Sequence, residues 1–183
     1  MNVLSLFDGM SCGQIALDNL GIKVDNYFAS EIDKYAMQVA KKNYPDMVHV
    51  GDVTKVSYSD YRDCLVVEKD SGYIQDIPKS RQIDLIIGGS PCQGFSRAGK
   101  NLNFDDPRSK LFFEFVRLIE ECKPKYFMLE NVKMTKEHRD TISELLGVEP
   151  IYIDSALVSG QTRKRYYWTN IPYLFNPVDQ LIT

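Results

Sequence analysis

Apolar positions along this chain fall into two alternating rhythms: short continuous runs, and longer stretches that recur at helical spacing. Asn2 to Phe7 is such a run and reads as a strand. Asp8-Gly9-Met10 then turns into a helix from about Ser11, with Ile15, Ala16 and Leu20 on its buried face and Gly21 placed to end it. Val24 to Ala29 reads as the second strand. Ile32, Tyr35, Ala36, Val39 and Ala40 repeat at helical spacing until Pro45 stops the pattern. Met47 to Val50 is a short third strand, closed by Gly51-Asp52.

Between Thr54 and Ile83 the rhythm fades into Tyr, Ser and Asp around the brief apolar patch Leu65-Val66-Val67. Residues 54–83 read as a surface insertion, with a short helix or hairpin and no chemistry. Order returns with the strand Asp84 to Gly88. The loop from Ser90 to about Pro107 is too long for a mere connector. Leu111, Phe112, Phe115, Val116, Leu118, Ile119 and Cys122 mark a strongly amphipathic helix. Tyr126 to Leu129 is the next buried strand, ending at Glu130. Lys136 to Leu146 is a helix followed by Gly147, and Ile151 to Ile153 and Tyr166 to Trp168 are further strands. Strand and helix alternating with short turns predict an α/β fold: a doubly wound, mostly parallel sheet covered on both faces.

Composition narrows this only a little. At 183 residues, 44% apolar and 26% charged, the chain suits one sizeable core, and residues 1–183 read as a single domain. It shows neither a run long enough to span a membrane nor a signal-peptide pattern, so a soluble intracellular protein is expected. Cys12, Cys64, Cys92 and Cys122 form no C-x-x-C pair, and the histidines are His49 and His138. Neither a metal site nor a disulfide framework is expected, which leaves room for a reactive thiol. A net charge of −3 does not mark a nucleic-acid binder. Arg97, Lys100, Arg108 and Lys110, and later Arg163, Lys164 and Arg165, nonetheless form basic groups that could meet phosphate.

The richest stretch is GGSPCQGFS, Gly88 to Ser96. It sets Cys92 just past a strand end, on the side of a sheet where ligands collect, with Pro91 fixing one backbone angle. A lone cysteine is more often a buried structural residue. What favours chemistry is the company of E-N-V at Glu130 to Val132 and Q-T-R-K-R at Gln161 to Arg165. Phe7 to Gly13 follows the first strand and opens the first helix, the usual seat of a nucleotide-like cofactor, although Ser11 stands where G-x-G-x-x-G needs its second glycine. Glu31, 22 residues after Gly9, suits a ribose, and Asp52 could accept from an adenine amino group. Each acid alone is an ordinary turn residue; with Asp8, three at successive strand ends favour an adenosine-type cofactor. Glu130 could serve as an acid, or as a helix cap, a role Asn131 would fill equally well. Arg163 and Arg165, two apart, would share one side of a strand and suit a phosphate or a base carbonyl, or else stand as two exposed arginines.

In this order the pieces resemble the cytosine-5 DNA methyltransferases. The resemblance rests on F-D-G at Phe7 to Gly9, S-E-I at Ser30 to Ile32 and G-D-V at Gly51 to Val53. It continues through S-P-C-Q-G-F-S at Ser90 to Ser96, K-L-F-F-E-F at Lys110 to Phe115, E-N-V, and Q-T-R-K-R. R-Y-Y-W-T-N at Arg165 to Asn170 is most similar to the de novo type, and phage and bacterial members share the core. The resemblance implies a Rossmann-like, S-adenosylmethionine-dependent methyltransferase acting on double-stranded DNA without a metal. It implies Cys92 as nucleophile, Glu130 at the ring nitrogen 3 edge, and Arg163 and Arg165 holding the base carbonyl and backbone. It further implies that Phe7, Asp8, Gly9 and Met10 contact the cofactor, Glu31 the ribose, and Ile32, Asp52 and Val53 the adenine, with Pro91 and Leu111 lining the pocket. Family members carry a target-recognition region beyond the last motif, so residues 171–183 read as a connector towards one. A second chain or self-association, docking near Tyr166 to Phe175, is the partner this implies. A non-catalytic or split subunit is the alternative. The transfer-RNA branch would show a Cys-Phe-Thr signature that this chain lacks, and a dinucleotide oxidoreductase would leave Cys92 and Glu130 unexplained.

Overall fold

A computed structural model describes residues 1–90, 107–174 and 177. The strands are β1 (Asn2–Leu6), β2 (Asn26–Ser30), β3 (Val48–His49), β4 (Val56–Ser59), β5 (Cys64–Glu68), β6 (Ile74–Asp76), β7 (Leu85–Gly88), β8 (Tyr126–Val132), β9 (Ile151–Asp154) and β10 (Lys164–Thr169). The helices are α1 (Cys12–Asn19), α2 (Lys34–Asn43), α3 (Pro107–Cys122) and α4 (Lys136–Leu146). Seven strands make one sheet in the order β3-β2-β1-β7-β8-β10-β9. β1 runs parallel to β2 and β7, β2 to β3, and β7 to β8, whereas β10 is antiparallel to both β8 and β9. The mostly parallel, doubly wound α/β sheet expected from the alternation is therefore present. From β1 the chain winds outward to β3, returns to β7, and winds the other way. The reversal at β1 and β7 opens a crevice beyond their carboxyl ends, where such sheets bind ligands.

Alternate residues of each strand face opposite layers. Leu4, Leu6, Phe28, Ile86 and Leu129 join Phe112, Phe115 and Leu118 of α3, Ile142 of α4 and Trp168 in the main core. The Trp168 indole donates to Ser143 Oγ at 3.0 Å, so its polar atom is satisfied as its ring is buried. On the other side Val3, Tyr27, Ala29, Leu85 and Ile87 pack against Leu17 of α1 in a thinner layer.

Two helices turn differently from expectation. In α1, Gln14 and Leu17 are buried, while Ile15, Ala16 and Leu20 face outward. The inward stripe is set by Gly13, where a Cβ would stand 2.2 Å from Ile87 Cδ1 and 2.8 Å from the Tyr27 hydroxyl. In α2 the inward residues are Ala36, Met37 and the fully buried Ala40, leaving Tyr35 and Val39 exposed. Ile32 precedes that helix, whose cap is Asp33.

Residues 54–83, expected as a surface insertion, form the three-stranded antiparallel sheet β4-β5-β6. Its Val56, Leu65, Val67, Ile77 and Ile83 belong to the main core, so this segment is part of the interior and not an appendage. Buried Ser80 ties it together, accepting from the Leu65 amide at 2.8 Å and donating to the Ile77 carbonyl at 2.7 Å. Beyond β10, Tyr173 and Leu174 are exposed. Phe175 lies outside the described residues.

Candidate functional site at the carboxyl edge of the sheet

The chain leaving β1 makes a tight turn through residues 7–11. Phe7, Gly9 and Ser11 all adopt the left-handed conformation, with φ of 58°, 60° and 65°. Glycine takes this without penalty, but for Phe7 and Ser11 it costs roughly 1 kcal/mol or more each. Space beyond Gly9 is open, with no atom within 4 Å of where a Cβ would stand. The Gly9 amide donates to Glu31 Oε2 at 2.7 Å, and the Ile32 and Asp33 amides donate to Glu31 Oε1, each at 2.8 Å. Three main-chain donors thus fix the Glu31 carboxylate at the end of β2, and its remaining lone pairs are free to accept from a ligand.

Asp8 differs from expectation in where its side chain goes. Its carboxylate is buried, accepting from the Tyr27 hydroxyl at 2.8 Å on one oxygen and from Ser11 Oγ on the other. Only its main chain borders the crevice. Met10 is exposed, and Phe7 and Leu111 are half-buried against the main core. Asp52 caps a 3-10 turn, Val53–Lys55, and its Oδ1 accepts from the Thr54 amide at 2.9 Å. Val53 is buried in the core, so its backbone is what the crevice can meet, while Ile32 stands exposed beside Glu31. Ser30, the first residue of S-E-I, donates to the Gly51 carbonyl at 2.8 Å and joins the end of β2 to the Asp52 turn.

Across the reversal point lies the second half of the site. β8 continues to Val132, so Glu130 sits within the strand and caps no helix; the cap of α4 is Thr135. Tyr167 of β10 lies opposite Glu130 in register. Arg165 donates through Nε to Glu130 Oε1 at 2.7 Å, and an Arg163 guanidinium nitrogen lies 3.6 Å from the same oxygen. The two arginines therefore share a side, as their spacing predicts, and converge on one carboxylate. Its other oxygen lies against the chain leaving β7: a Cβ on Gly89 would stand 3.1 Å from Glu130 Oε2. Burial and then the charge of Glu130 push the Tyr167 hydroxyl's pKa upward, keeping that neighbour neutral.

Asn131, buried beside Glu130, reaches Ser90 with its amide, 3.4 Å from both the carbonyl and the hydroxyl oxygens. It anchors the residue that precedes Pro91 and Cys92, both of which lie outside the described residues, as does most of the basic loop. Sequence reasoning misses Tyr27 altogether, and misses the bonds that Ser30 and Asn131 make, because each acts on a residue far away along the chain. Among the described residues no cluster of His, Cys, Asp and Glu could hold a metal ion, and no helix is long and apolar enough to cross a membrane. A cavity of about 350 Å³ lies elsewhere, lined by Gln14, Tyr27, Tyr44 and Met47 among others, and includes neither Glu31 nor Glu130.

A family model described as C-5 cytosine-specific DNA methylase matches residues 1–147. The type II methyltransferase M1.ScrFI of Lactococcus lactis subsp. cremoris is 47% identical over 116 residues, covering 63% of this chain and 25% of that protein. The type II methyltransferase M.NgoBV of Neisseria gonorrhoeae is 34% identical over 188 residues, covering 91% of this chain and 40% of that protein. Among solved structures, the Dnmt2 methyltransferase of S. pombe matches with a TM-score of 0.67 at 19% identity, over 96% of this chain and 53% of that one. At that identity the likeness speaks for the fold alone, a Rossmann-like α/β fold. The chain spans between a quarter and about half the length of these proteins.

Proposed function

The chain belongs to the C-5 cytosine-specific DNA methylase family, and we propose that it takes part in methyl transfer from S-adenosylmethionine to carbon 5 of a cytosine flipped out of double-stranded DNA. The observation that carries this reading is the convergence of Arg163 and Arg165 on Glu130 Oε1, with Gly89 against the carboxylate's other oxygen. Glu130 thereby stands between the strand that leads to Cys92 and the strand that carries the arginines.

The residues at the other half of the crevice fit the cofactor. Glu31, fixed by three amides, would receive the ribose hydroxyls, and the open left-handed turn at Gly9 lets the methionine end approach the main chain. Asp52, with its Oδ1 held by Thr54, would meet the adenine. Pro91 and Leu111 complete the pocket wall in this reading. S-adenosylmethionine supplies the methyl group.

This chain's own side chains supply the rest. Carbon 5 of cytosine is a poor nucleophile until a thiolate adds to carbon 6, so Cys92 forms a carbon–sulfur bond there and sends electron density to carbon 5. Glu130 hydrogen-bonds the nitrogen 3 edge as that density develops, with Arg165 orienting the carboxyl. Arg163 and Arg165 hold the base carbonyl and neighbouring backbone. After transfer, loss of the carbon 5 proton returns the electron pair that expels Cys92, restoring both ring and thiol. A base inside the duplex cannot reach these groups, so it must leave the stack.

Labelled S-adenosylmethionine and duplex DNA test the reading, with Cys92→Ala as control and DNA containing 5-fluorocytosine as a trap. Transferred label together with a Cys92-dependent covalent adduct is the expected result. Label without a Cys92-dependent adduct would remove the covalent mechanism. Activity that appears only on adding a second, target-recognising chain would assign this chain the catalytic half of a two-chain enzyme.

A further inference from the structure

Asp8, Ser11 and Tyr27 form a buried polar cluster behind the crevice, and no step of the proposed reaction uses it. All three are buried. Tyr27 donates to one carboxylate oxygen of Asp8 at 2.8 Å and Ser11 Oγ donates to the other, so both oxygens of this buried carboxylate are already bonded within the protein. A buried carboxylate is costly unless its oxygens are bonded, and an apolar side chain could fill the same space without that requirement. Its geometry points to the main chain around it. The Asp8 amide donates to the Ser30 carbonyl at 3.1 Å, and the Asp8 carbonyl accepts from the Ser11 amide at 3.2 Å. Asp8 is therefore held at four points, in the middle of a turn whose left-handed residues Phe7, Gly9 and Ser11 would otherwise relax.

What the turn delivers is the Gly9 amide, aimed at Glu31 Oε2. Tyr27 and Glu31 lie on the same chain segment, four residues apart, with β2 supporting both. A closed path thus runs from the Tyr27 hydroxyl through Asp8 and Gly9 to Glu31. Burial first, and the neighbouring Asp8 charge next, push the Tyr27 phenol's pKa upward, so it stays a donor throughout the working range.

We propose that Tyr27, acting through Asp8, is a positioning residue for the cofactor: it locks the turn of residues 7–11 so that the Gly9 amide fixes Glu31 for the ribose hydroxyls. The proposal rests on the reading of the crevice as the S-adenosylmethionine site. It also gives Asp8 a different part from the direct contact that the resemblance implied.

The test uses the full 183-residue chain and its Tyr27→Phe, Asp8→Asn, Glu31→Ala and Tyr27→Phe/Glu31→Ala variants. Calorimetry measures binding of S-adenosylmethionine and of an analogue lacking the ribose 2′ and 3′ hydroxyls. Tyr27→Phe should weaken S-adenosylmethionine about tenfold and leave the analogue within about twofold, because only the hydroxyl contacts pass through Glu31. The double variant should bind no worse than Glu31→Ala alone. Without any ligand, exchange of the Gly9 amide should accelerate in Tyr27→Phe and Asp8→Asn.

Equal weakening of cofactor and analogue, or wild-type binding by Tyr27→Phe beside a weakened Glu31→Ala, would overturn the positioning role and leave the cofactor site standing. Unchanged Gly9 exchange in both variants would overturn it as well. Wild-type binding by Glu31→Ala, or no binding by the unaltered chain, would overturn the reading of the crevice and the proposal together.

Discussion

Gly88 and Gly89 are neighbours in sequence, yet a methyl group on each would meet very different surroundings. On Gly89 it would stand 3.1 Å from Glu130 Oε2, the end of a side chain that can swing aside. Gly89→Ala should therefore leave the melting temperature almost unchanged and, in the proposed reading, lower kcat at least tenfold, since a displaced carboxyl would no longer meet the base edge. On Gly88 it would stand 2.9 Å from the Leu6 carbonyl oxygen and 3.1 Å from the Phe115 ring. The carbonyl cannot move without parting β1 from β7, and the ring is fully buried in the main core, so Gly88→Ala should cost about 1–3 kcal/mol of stability, read by denaturant unfolding. Cysteines divide in a similar way. Burial, and then the adjacent Glu121, push the Cys122 thiol up to about 12, so below that pH its reactive thiolate is scarce. In a Cys92→Ser background at pH 8, iodoacetamide should label exposed Cys12 in the native chain and reach Cys122 only after denaturation.

Elements with one strong periodic face are legible in the amino-acid sequence alone. α4 spans the predicted Lys136–Leu146 and ends on left-handed Gly147, and α3 buries Phe112, Phe115 and Leu118 as its spacing requires. α1 and α2 mislead because their inward stripes mix Gly13, Gln14, Ala36 and Ala40 with Leu17 and Met37, while Ile15, Leu20, Tyr35 and Val39 face out. Hydropathy does not mark glycine, glutamine or alanine as inward, and at Gly13 the close approach to the sheet leaves no room for a side chain. Glu31, Glu130 and Arg165 are legible as candidates because each lies in or just beyond a readable strand. Tyr27 with Asp8, Ser30 with Gly51 and Asn131 with Ser90 are not, since those bonds join residues brought together only by the sheet. The small sheet shows the same limit. Its strands are too short to show a period, and what secures them is Arg117 of α3, whose guanidinium donates to the Val56 carbonyl at 2.7 Å and pairs with Glu114 and Glu121. Arg117→Ala should destabilise the chain by about 1.5–3 kcal/mol. Exchange should accelerate first in β4, whose Tyr58 amide is held by Glu121 at 2.9 Å. Lysine should not rescue it, because one ammonium cannot reproduce the fork that serves two carboxylates and a carbonyl together.

At the scale of the molecule, the sheet divides the work along the β1–β7 ladder. β1 to β3 and their turns hold Asp8, Glu31 and Asp52; β7, β8 and β10 lead to Cys92 and hold Glu130 and Arg165. The halves meet through the pairs Val3↔Leu85 to Leu6↔Gly88, so in the proposed reading this register would bring a cofactor on one side into line with a base on the other. Such an arrangement makes cofactor binding and base activation separable. S-adenosylmethionine at about 100 times its Kd should stabilise the chain by about 2.7 kcal/mol, a rise of about 5–10 °C in melting temperature for a chain of this size. Glu130→Gln should show the same rise while losing methyl transfer by about 10² or more, because in the proposed reading its carboxyl serves the base and not the cofactor. Glu31→Ala should show little rise, because the proposed acceptor for the ribose is gone. Paired melts of the two variants with and without cofactor decide the matter. If Glu130→Gln loses the cofactor-dependent rise, the halves are coupled through more than the ladder, and the division of labour drawn from the sheet order is wrong.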